Sequence, residues 1–402
     1  MRKEPILIGR PPLLRQTNAE LLLRLLREAG PCSKADLVRA SGLSAPTVTN
    51  VVEYLAAGGL VEAIGEGEST GGRPPDILRF RSERGCLVAA EIGRDTVTFL
   101  AADLEGRELV QTKVGFAWES SSPKAICELM GREVRALLRE LEKPADHLLR
   151  VVVSVPAMVD VSNGTVVSLS KLKGWRDVPL RAMLGRELKC PVEVENDTNL
   201  AAQGEFARGA ARGEKNFVFI TIGEGVGAGI FVDGKVYRGA RWSAGEIGYL
   251  RVPNVSRENA TIHGHGRLEK MVGAAGILKS WRASGRATRA RLKVGRATDV
   301  FNLAAAGNAD AKRILKQKGR ILADVVLDLA LILNPGLILL GGEVGTHPVL
   351  LRAVKEFLAG SEFGVISIKL GELGTTAALW GAVASGLDRG IAGLLQPAKV
   401  AV

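Results

Sequence analysis

NFVFITIGEGVGAGIFVDGKVY, residues 216–237, alternates apolar runs with glycine-bearing turns. It reads as a strand, a turn at Gly223 to Gly227, a strand, a turn at Asp233-Gly234, and a third strand. The same order recurs from Cys86 to Val110, with turns at Gly93 and at Glu105-Gly106. Helices and further strands follow each triplet, so the chain from Cys86 onward predicts an α/β fold with buried sheet. Two such units facing one another make a two-lobed body with a cleft, the usual place for a ligand. The ending, Thr375 to Leu395, reads as a helix with Gly and Ala at its packing positions.

The first 80 residues have a different pattern. Asn18 to Gly30 carries a helical stripe of Leu22, Leu25, Leu26 and Ala29, closed by Gly30-Pro31. Ser33-Lys-Ala-Asp36 has the spacing of a capping box for a second short helix, which ends near Ser41-Gly42. Ser44 caps a third helix with Pro46 in its first turn and Val48, Val51, Val52 and Leu55 on its apolar side. Ala57-Gly-Gly59 ends it. Leu60 to Ile64 and Asp76 to Phe80 then read as paired strands joined by a Gly-rich tip. Three short helices and a hairpin predict a winged helix-turn-helix. The domain boundaries read from these patterns are 1–82 for the winged helix, 83–195 for a first lobe and 196–374 for a second, with helix 375–396 returning to the first.

Composition bounds the function. The 402 residues are 46% hydrophobic and 24% charged, too apolar for an intrinsically disordered chain. The most apolar stretch, Val325 to Leu340, is broken by Asp328 and Asn334-Pro335, so no membrane partner is expected. Met-Arg-Lys-Glu-Pro at the start lacks the apolar core of a signal peptide. Cys32, Cys86, Cys127 and Cys190 stand far apart in no metal or disulfide pattern, which fits a reducing cytoplasm. The formal charge of +11 invites a polyanionic partner. Its distribution does not: residues 1–84 hold twelve cations against ten acids, whereas Lys270 to Arg296 holds eight cations and no acid. That run has two readings, a surface for flanking DNA phosphates or an acidic partner, and a solvated face.

A recognition helix places its N-terminal side chains at base edges in the major groove. Ser44, Thr47, Thr49 and Asn50 are the candidates, Asn being suited to adenine. Lys34 and Arg39 on the preceding helix suit phosphate contacts, which position without specifying. Arg73, stiffened by Pro74 at the wing tip, suits a narrow minor groove in double-stranded DNA. The alternative is a winged-helix module that never touches nucleic acid.

Taken together, Ser-Thr-Gly-Gly-Arg-Pro-Pro at 69–75, Val-Glu-Asn-Asp at 194–197, Thr-Ile-Gly-Glu-Gly-Val-Gly-Ala-Gly at 221–229 and Ala-Gly-Glu-Ile-Gly at 244–248 resemble the ROK family. More narrowly the chain is similar to the NagC/XylR-type repressors within it, over residues 14 to 396. The resemblance implies an actin-like, ribonuclease-H-like ATPase fold for the body. It also implies an operator-binding homo-oligomer, dimer or tetramer, controlled by a sugar or sugar derivative. It places Asn196, Asp197, Glu246 and Glu269 at the sugar, with Asp197 the general base only in kinase members. Carboxylates and amides around one pocket suit polyhydroxylated ligands, because they accept hydrogen bonds from hydroxyls. Asn196-Asp197 could equally be a turn that caps the next helix, and Trp175 either a pocket wall or core.

Three departures from the family pattern shape the expectation. The kinase loop Asp-x-Gly-Gly-Thr is here Glu91-Ile-Gly-Arg-Asp95, and the second Gly loop carries Glu224. Bound phosphate wants N–H groups and cations, so no catalytic role is expected. The alternative is a sugar kinase that keeps a DNA-binding domain. Tyr249, Ala260, Ile262 and Arg267 stand at the positions of the family's four zinc ligands, so no metal or other cofactor is expected. His263 and His265 are too few for such a site. Tyr249 also leaves open a repressor that has lost effector control.

Overall fold

The computed structural model describes residues 11–67, 74–117, 121–169, 174–251, 266–284, 294–359 and 367–395. Its N-terminal unit is α1 (Pro11–Ala29), a two-residue β1 (Cys32–Ser33), α2 (Lys34–Ser41), α3 (Ala45–Ala57), β2 (Val61–Glu66) and β3 (Asp76–Phe80). This is the predicted winged helix. The first helix starts earlier than its apolar stripe, at Pro11, since proline fits a first turn whose N–H groups need no helical partner. The second has its capping box: the Ser33 hydroxyl accepts from the Asp36 N–H, and the Asp36 carboxylate accepts from the Ser33 N–H. Ser44 caps α3 through the Thr47 N–H.

Two five-stranded sheets follow. The first is built from β4 (Cys86–Ile92), β5 (Thr96–Asp103), β6 (Glu108–Gly115), then α4 (Pro123–Glu140) and β7 (Leu148–Val155). A small antiparallel sheet, β8 (Met158–Asp160), β9 (Thr165–Ser168) and β10 (Arg176–Val178), precedes α5 (Leu180–Leu188), β11 (Val192–Asn196) and α6 (Asp197–Arg208). The second sheet starts with β12 (Phe217–Ile222), β13 (Val226–Val232) and β14 (Lys235–Val236). Helices α7 (Arg267–Val272), α8 (Ala274–Ala283), α9 (Ala297–Ala305) and α10 (Ala309–Leu333) lead to β15 (Leu337–Gly341). Then come α11 (Gly342–Gly345), α12 (Pro348–Leu358), β16 (Ile368–Leu370) and α13 (Ala377–Leu394). The sheet orders, β11-β7-β4-β5-β6 and β14-β13-β12-β15-β16, are the same topology twice. An antiparallel triplet is extended by two parallel strands in each, which is the repeat legible in the sequence.

Between the sheets lie α6 and α13. Their core joins Leu87, Ala89 and Val152 of the first sheet to Phe217, Phe219 and Leu339 of the second. The two helices cross backbone to backbone: a Cβ on Gly381 would stand 1.7 Å from the Leu200 oxygen, and one on Gly204 would stand 2.1 Å from the Ala377 oxygen. Helix α13 then runs past the body. Ile391 and Leu395 are buried in the winged-helix core with Leu22, Leu26, Val52 and Phe80, and Leu104 joins them from the end of β5. The Tyr54 hydroxyl donates to the Leu395 carbonyl at 2.8 Å. The sequence pattern places this helix on the first lobe. Its terminal turn completes the reading head as well.

Candidate functional site

The parallel strands of the first sheet end at the cleft, and β11 delivers Asn196 and Asp197 there, at the start of α6. Asn196 is the N-cap: its Oδ1 accepts from the Asn199 N–H, and its Nδ2 donates to the Ala157 carbonyl at 3.1 Å. The capping alternative therefore holds for Asn196, which fixes the strand-to-helix turn. Asp197 Oδ1 accepts from the Thr198 N–H at 2.7 Å and its hydroxyl at 3.3 Å, leaving Oδ2 without a partner among the described residues. Glu195 was not singled out in the sequence. It accepts from Arg238 at 2.7 Å and from the Asn199 amide at 3.1 Å, so it positions the turn from behind.

Glu246 and Glu269 reach the same cleft from the second lobe. Gly245 is in the left-handed region, and a Cβ there would stand 1.9 Å from the Ala228 oxygen. The Ala228 N–H bonds the Gly245 carbonyl at 2.8 Å, so the segment carrying Glu246 lies directly on β13. The next Gly, Gly248, packs close to the Glu269 carboxylate of α7. Burial raises Asp197 to about 6 against its hydrogen bonds from Thr198. Burial raises Glu246 to about 7, helped by the charges of Asp197 and Glu269. Glu91, at the end of β4, also reaches about 7, from burial and then from Asp197, with Lys113 opposing. Tyr249 is raised by burial and by Glu246 and Glu269, so it borders the same acids.

These shifts carry a sign. The folded protein holds protons on Glu91 and Glu246 that the unfolded chain releases near pH 4.5. Stability is therefore fully present below that pH and declines as pH rises to about 7. Glu91→Gln, which mimics the protonated form, is expected to melt with wild type at pH 4. At pH 8 it is expected to be more stable by about 1–3 kcal/mol. Thermal denaturation at the two pH values checks this, and equal melting at pH 8 contradicts it.

The glycine loops face one another with their charges paired. Arg94, in the β4–β5 turn, donates to Glu224, in the β12–β13 turn, at 2.6 Å across the lobes. Glu343 follows Gly342 at the end of β15 and pairs with Arg296. Asp95 uses its carbonyl to accept from the Phe116 N–H. At the zinc positions, Tyr249 and Arg267 are described, and Ala260, Ile262, His263 and His265 lie outside the described residues. A phenol, two alkyl side chains and a guanidinium do not supply the thiolate and imidazole donors that structural zinc takes. For Trp175 the core alternative holds. Only 1% exposed, it packs in the first-lobe core, with its indole N–H donating to the Ser121 carbonyl, and forms no wall of the cleft.

On the winged helix, Ser44 and Asn50 are exposed and Thr47 and Thr49 are half-buried at the start of α3. The Ser44 and Thr47 hydroxyls bond each other at 2.8 Å, so both serve the cap first. Lys34 is half-buried; Arg39 is exposed and paired with Asp36 on its own helix. Arg73 lies outside the described residues, as do four of the eight cations of the 270–296 run. Among the described residues no helix is long and apolar enough to cross a membrane.

Residues 87–387, three quarters of the chain, match the model of the ROK family. The chain belongs to the ROK family. Residues 17–73, the winged helix, match the model of the MarR family. The xylose repressor of Bacillus spizizenii is 25% identical over 343 residues, which cover 85% of this chain and 86% of the relative. A solved ROK family transcriptional regulator, homologous to E. coli Mlc, superposes with a TM-score of 0.80 over 95% of this chain and 98% of its own, at 23% identity. The ROK family glucokinase of Streptomyces griseus, solved with glucose and AMPPNP, matches the body alone. Its TM-score is 0.62 at 24% identity, over 74% of this chain and 98% of its own. The ROK fold thus accounts for the body, and the winged helix is what sets this chain apart from the kinase.

Proposed function

We propose that this chain is a sugar-responsive transcriptional repressor that binds double-stranded operator DNA as a homo-oligomer, dimer or tetramer. Asn50, Thr49, Ser44 and Thr47 would meet base edges, Lys34 and Arg39 phosphates, and Arg73 the minor groove. A free or modified sugar would bind between Asp197, Glu246 and Glu269, with Asn196 holding the turn. One observation carries the reading: the core of the reading head is completed by Leu104, Ile391 and Leu395 of the body. A ligand that shifts the lobes therefore moves the helices whose spacing must match the half-sites. The relatives named repressors support it, and so does the winged helix on a ROK body.

The same reading holds the body to be no kinase and to need no zinc. Arg94, the one cation in the two glycine loops, is spent on Glu224, and the loops add acids where an ATP phosphate needs donors. A second reading, a sugar kinase with a DNA-binding appendage, is favoured by Asp197. Its free Oδ2 and a pKa of about 6 suit a general base. An ADP-release assay over pentoses, hexoses and amino sugars separates the two. No turnover above background is expected; sugar-dependent turnover abolished by Asp197→Asn would establish the kinase.

A further inference from the structure

Helices α6 and α13 both lie between the sheets, but they are seated on different lobes. Helix α6 rests on the second sheet: a Cβ on Gly229 of β13 would stand 2.8 Å from the Thr198 oxygen and 2.6 Å from Ala202. Further along α6, the Phe206 ring centre lies 5.1 Å from that of Phe231. Glu205 is fully buried and fixes the end of the helix to the segment after β16. Its carboxylate accepts from the Glu372 and Leu373 N–H groups at 3.1 and 2.9 Å. Helix α13 rests instead on the first sheet, where Cβ atoms on Gly386 and Gly390 would stand 2.9 Å from Val152 and 3.1 Å from Leu87.

One side chain at the end of α6 crosses back to the first lobe. Arg208 donates to the Gly106 carbonyl in the β5–β6 turn, and its guanidinium carbon lies 4.0 Å from the ring centre of Trp380 on α13. The receiving turn is stiff. Asp103 Oδ1 accepts from the Glu105 and Arg107 N–H groups at 2.9 and 2.8 Å, and Gly106 is in the left-handed region, packed on Leu387. Leu104 stands inside this turn, fully buried in the reading-head core, and its N–H donates to the Ser82 carbonyl at 3.1 Å. Helix α6 has 12 residues, so about 18 Å of helix separates Asp197 at its start from this contact at its end.

Resting on the reading that occupancy of the cleft alters DNA binding, we propose that Arg208 is the positioning residue that carries lobe movement to the reading head. A ligand that moves the second lobe moves α6 with it, because Glu205 and Phe206 leave that end of the helix no freedom. Arg208 then pulls or releases the turn that holds Leu104 under the winged helix. A turn braced by Asp103 passes a displacement on rather than absorbing it. The contact suits the role, since a hydrogen bond and a ring contact made by one guanidinium are both lost over a helix shift of about 1–2 Å.

Arg208→Met keeps an unbranched apolar side chain on Trp380 and removes the donor and the charge. With a pentose, hexose or N-acetylhexosamine that thermal shift shows to bind, its sugar affinity by calorimetry is expected to stay within about 2-fold of wild type. The ratio of DNA affinities with and without that sugar, from fluorescence anisotropy at fixed salt, is expected to fall at least about 5-fold. A merely structural role would change both DNA affinities together and leave their ratio alone. Arg208→Lys, which keeps a cation and a donor, is expected to fall between the two. A wild-type ratio in Arg208→Met overturns the inference and leaves the repressor reading standing. Hydrogen exchange on the wild-type chain tests the same point whether or not the variant folds. Bound sugar is expected to change exchange at residues 103–107 at least about 3-fold and to leave α4 unaltered. Equal exchange at 103–107 with and without sugar also overturns the inference. If no sugar binds, or a bound one leaves wild-type DNA affinity unchanged, the repressor reading fails and this inference fails with it.

Discussion

Gly381→Ala is expected to lower the melting temperature by about 6–12 °C, and Gly393→Ala, the same change twelve residues later on the same helix, to leave it unchanged or raise it. A Cβ at 381 would lie 1.7 Å from the Leu200 oxygen and 2.9 Å from the Gly204 nitrogen, and all of these atoms are backbone. No rotamer relieves such a contact; the helices must separate. Overpacking in a core costs about 1–3 kcal/mol and more where nothing yields, and each kcal/mol shifts the midpoint of a large domain by about 2–4 °C. Around Gly393 there is nothing within 4 Å, so alanine adds helix propensity at no steric cost. The consequence extends to regulation. Helix α6 begins at Asp197, which is proposed to meet the sugar, and α13 ends in the core of the reading head. A variant that folds with the crossing loosened is expected to bind sugar and DNA independently. Equal melting of Gly381→Ala and wild type would show that the crossing is not tight, and the route between the sites would lose its basis.

Asp197→Asn is the second large effect. The amide oxygen can still accept from Thr198, so the turn survives, and the uncharged side chain removes a buried charge rather than adding one. What is lost is the charge-assisted acceptor at Oδ2, worth about 1.5–3 kcal/mol, or roughly 10- to 100-fold in sugar affinity. The variant is expected to bind DNA like wild type in the absence of sugar and to ignore sugar at concentrations that saturate wild type. Undiminished sugar affinity would remove Asp197 from the site.

Local chemistry made much of this legible in the sequence. Ser33 with Asp36, and Ser44 with Thr47, act within one helical turn, so the helix starts are readable residue by residue. The repeated strand triplet gave both sheets, because turn glycines and apolar runs are also local. What spacing hides is contact between distant segments. Val192-Glu-Val-Glu-Asn196 alternates like a half-exposed strand, yet both faces are buried. Arg150 and Arg389 meet Glu193, and Arg238 meets Glu195. Arg94 and Glu224 are each visible as oddities of their loops, but a separation of 130 residues conceals that they pair. Trp175 has the same composition whether it is wall or core. Only the packing of α4 and α5 around it decides, and it decides for core. The seating of Leu395 under Tyr54 has no signature in either segment, since it depends on where α13 points after crossing the body.

The central claim is that a sugar in the cleft alters how the winged helix holds DNA. Fluorescence anisotropy at fixed salt, on a fragment selected by the protein from a random pool, measures it with and without a free sugar that thermal shift shows to bind. The account predicts a change in DNA affinity of about 5- to 150-fold in wild type and none in Asp197→Asn. A sugar that demonstrably occupies the wild-type protein and leaves its DNA affinity unchanged would contradict it.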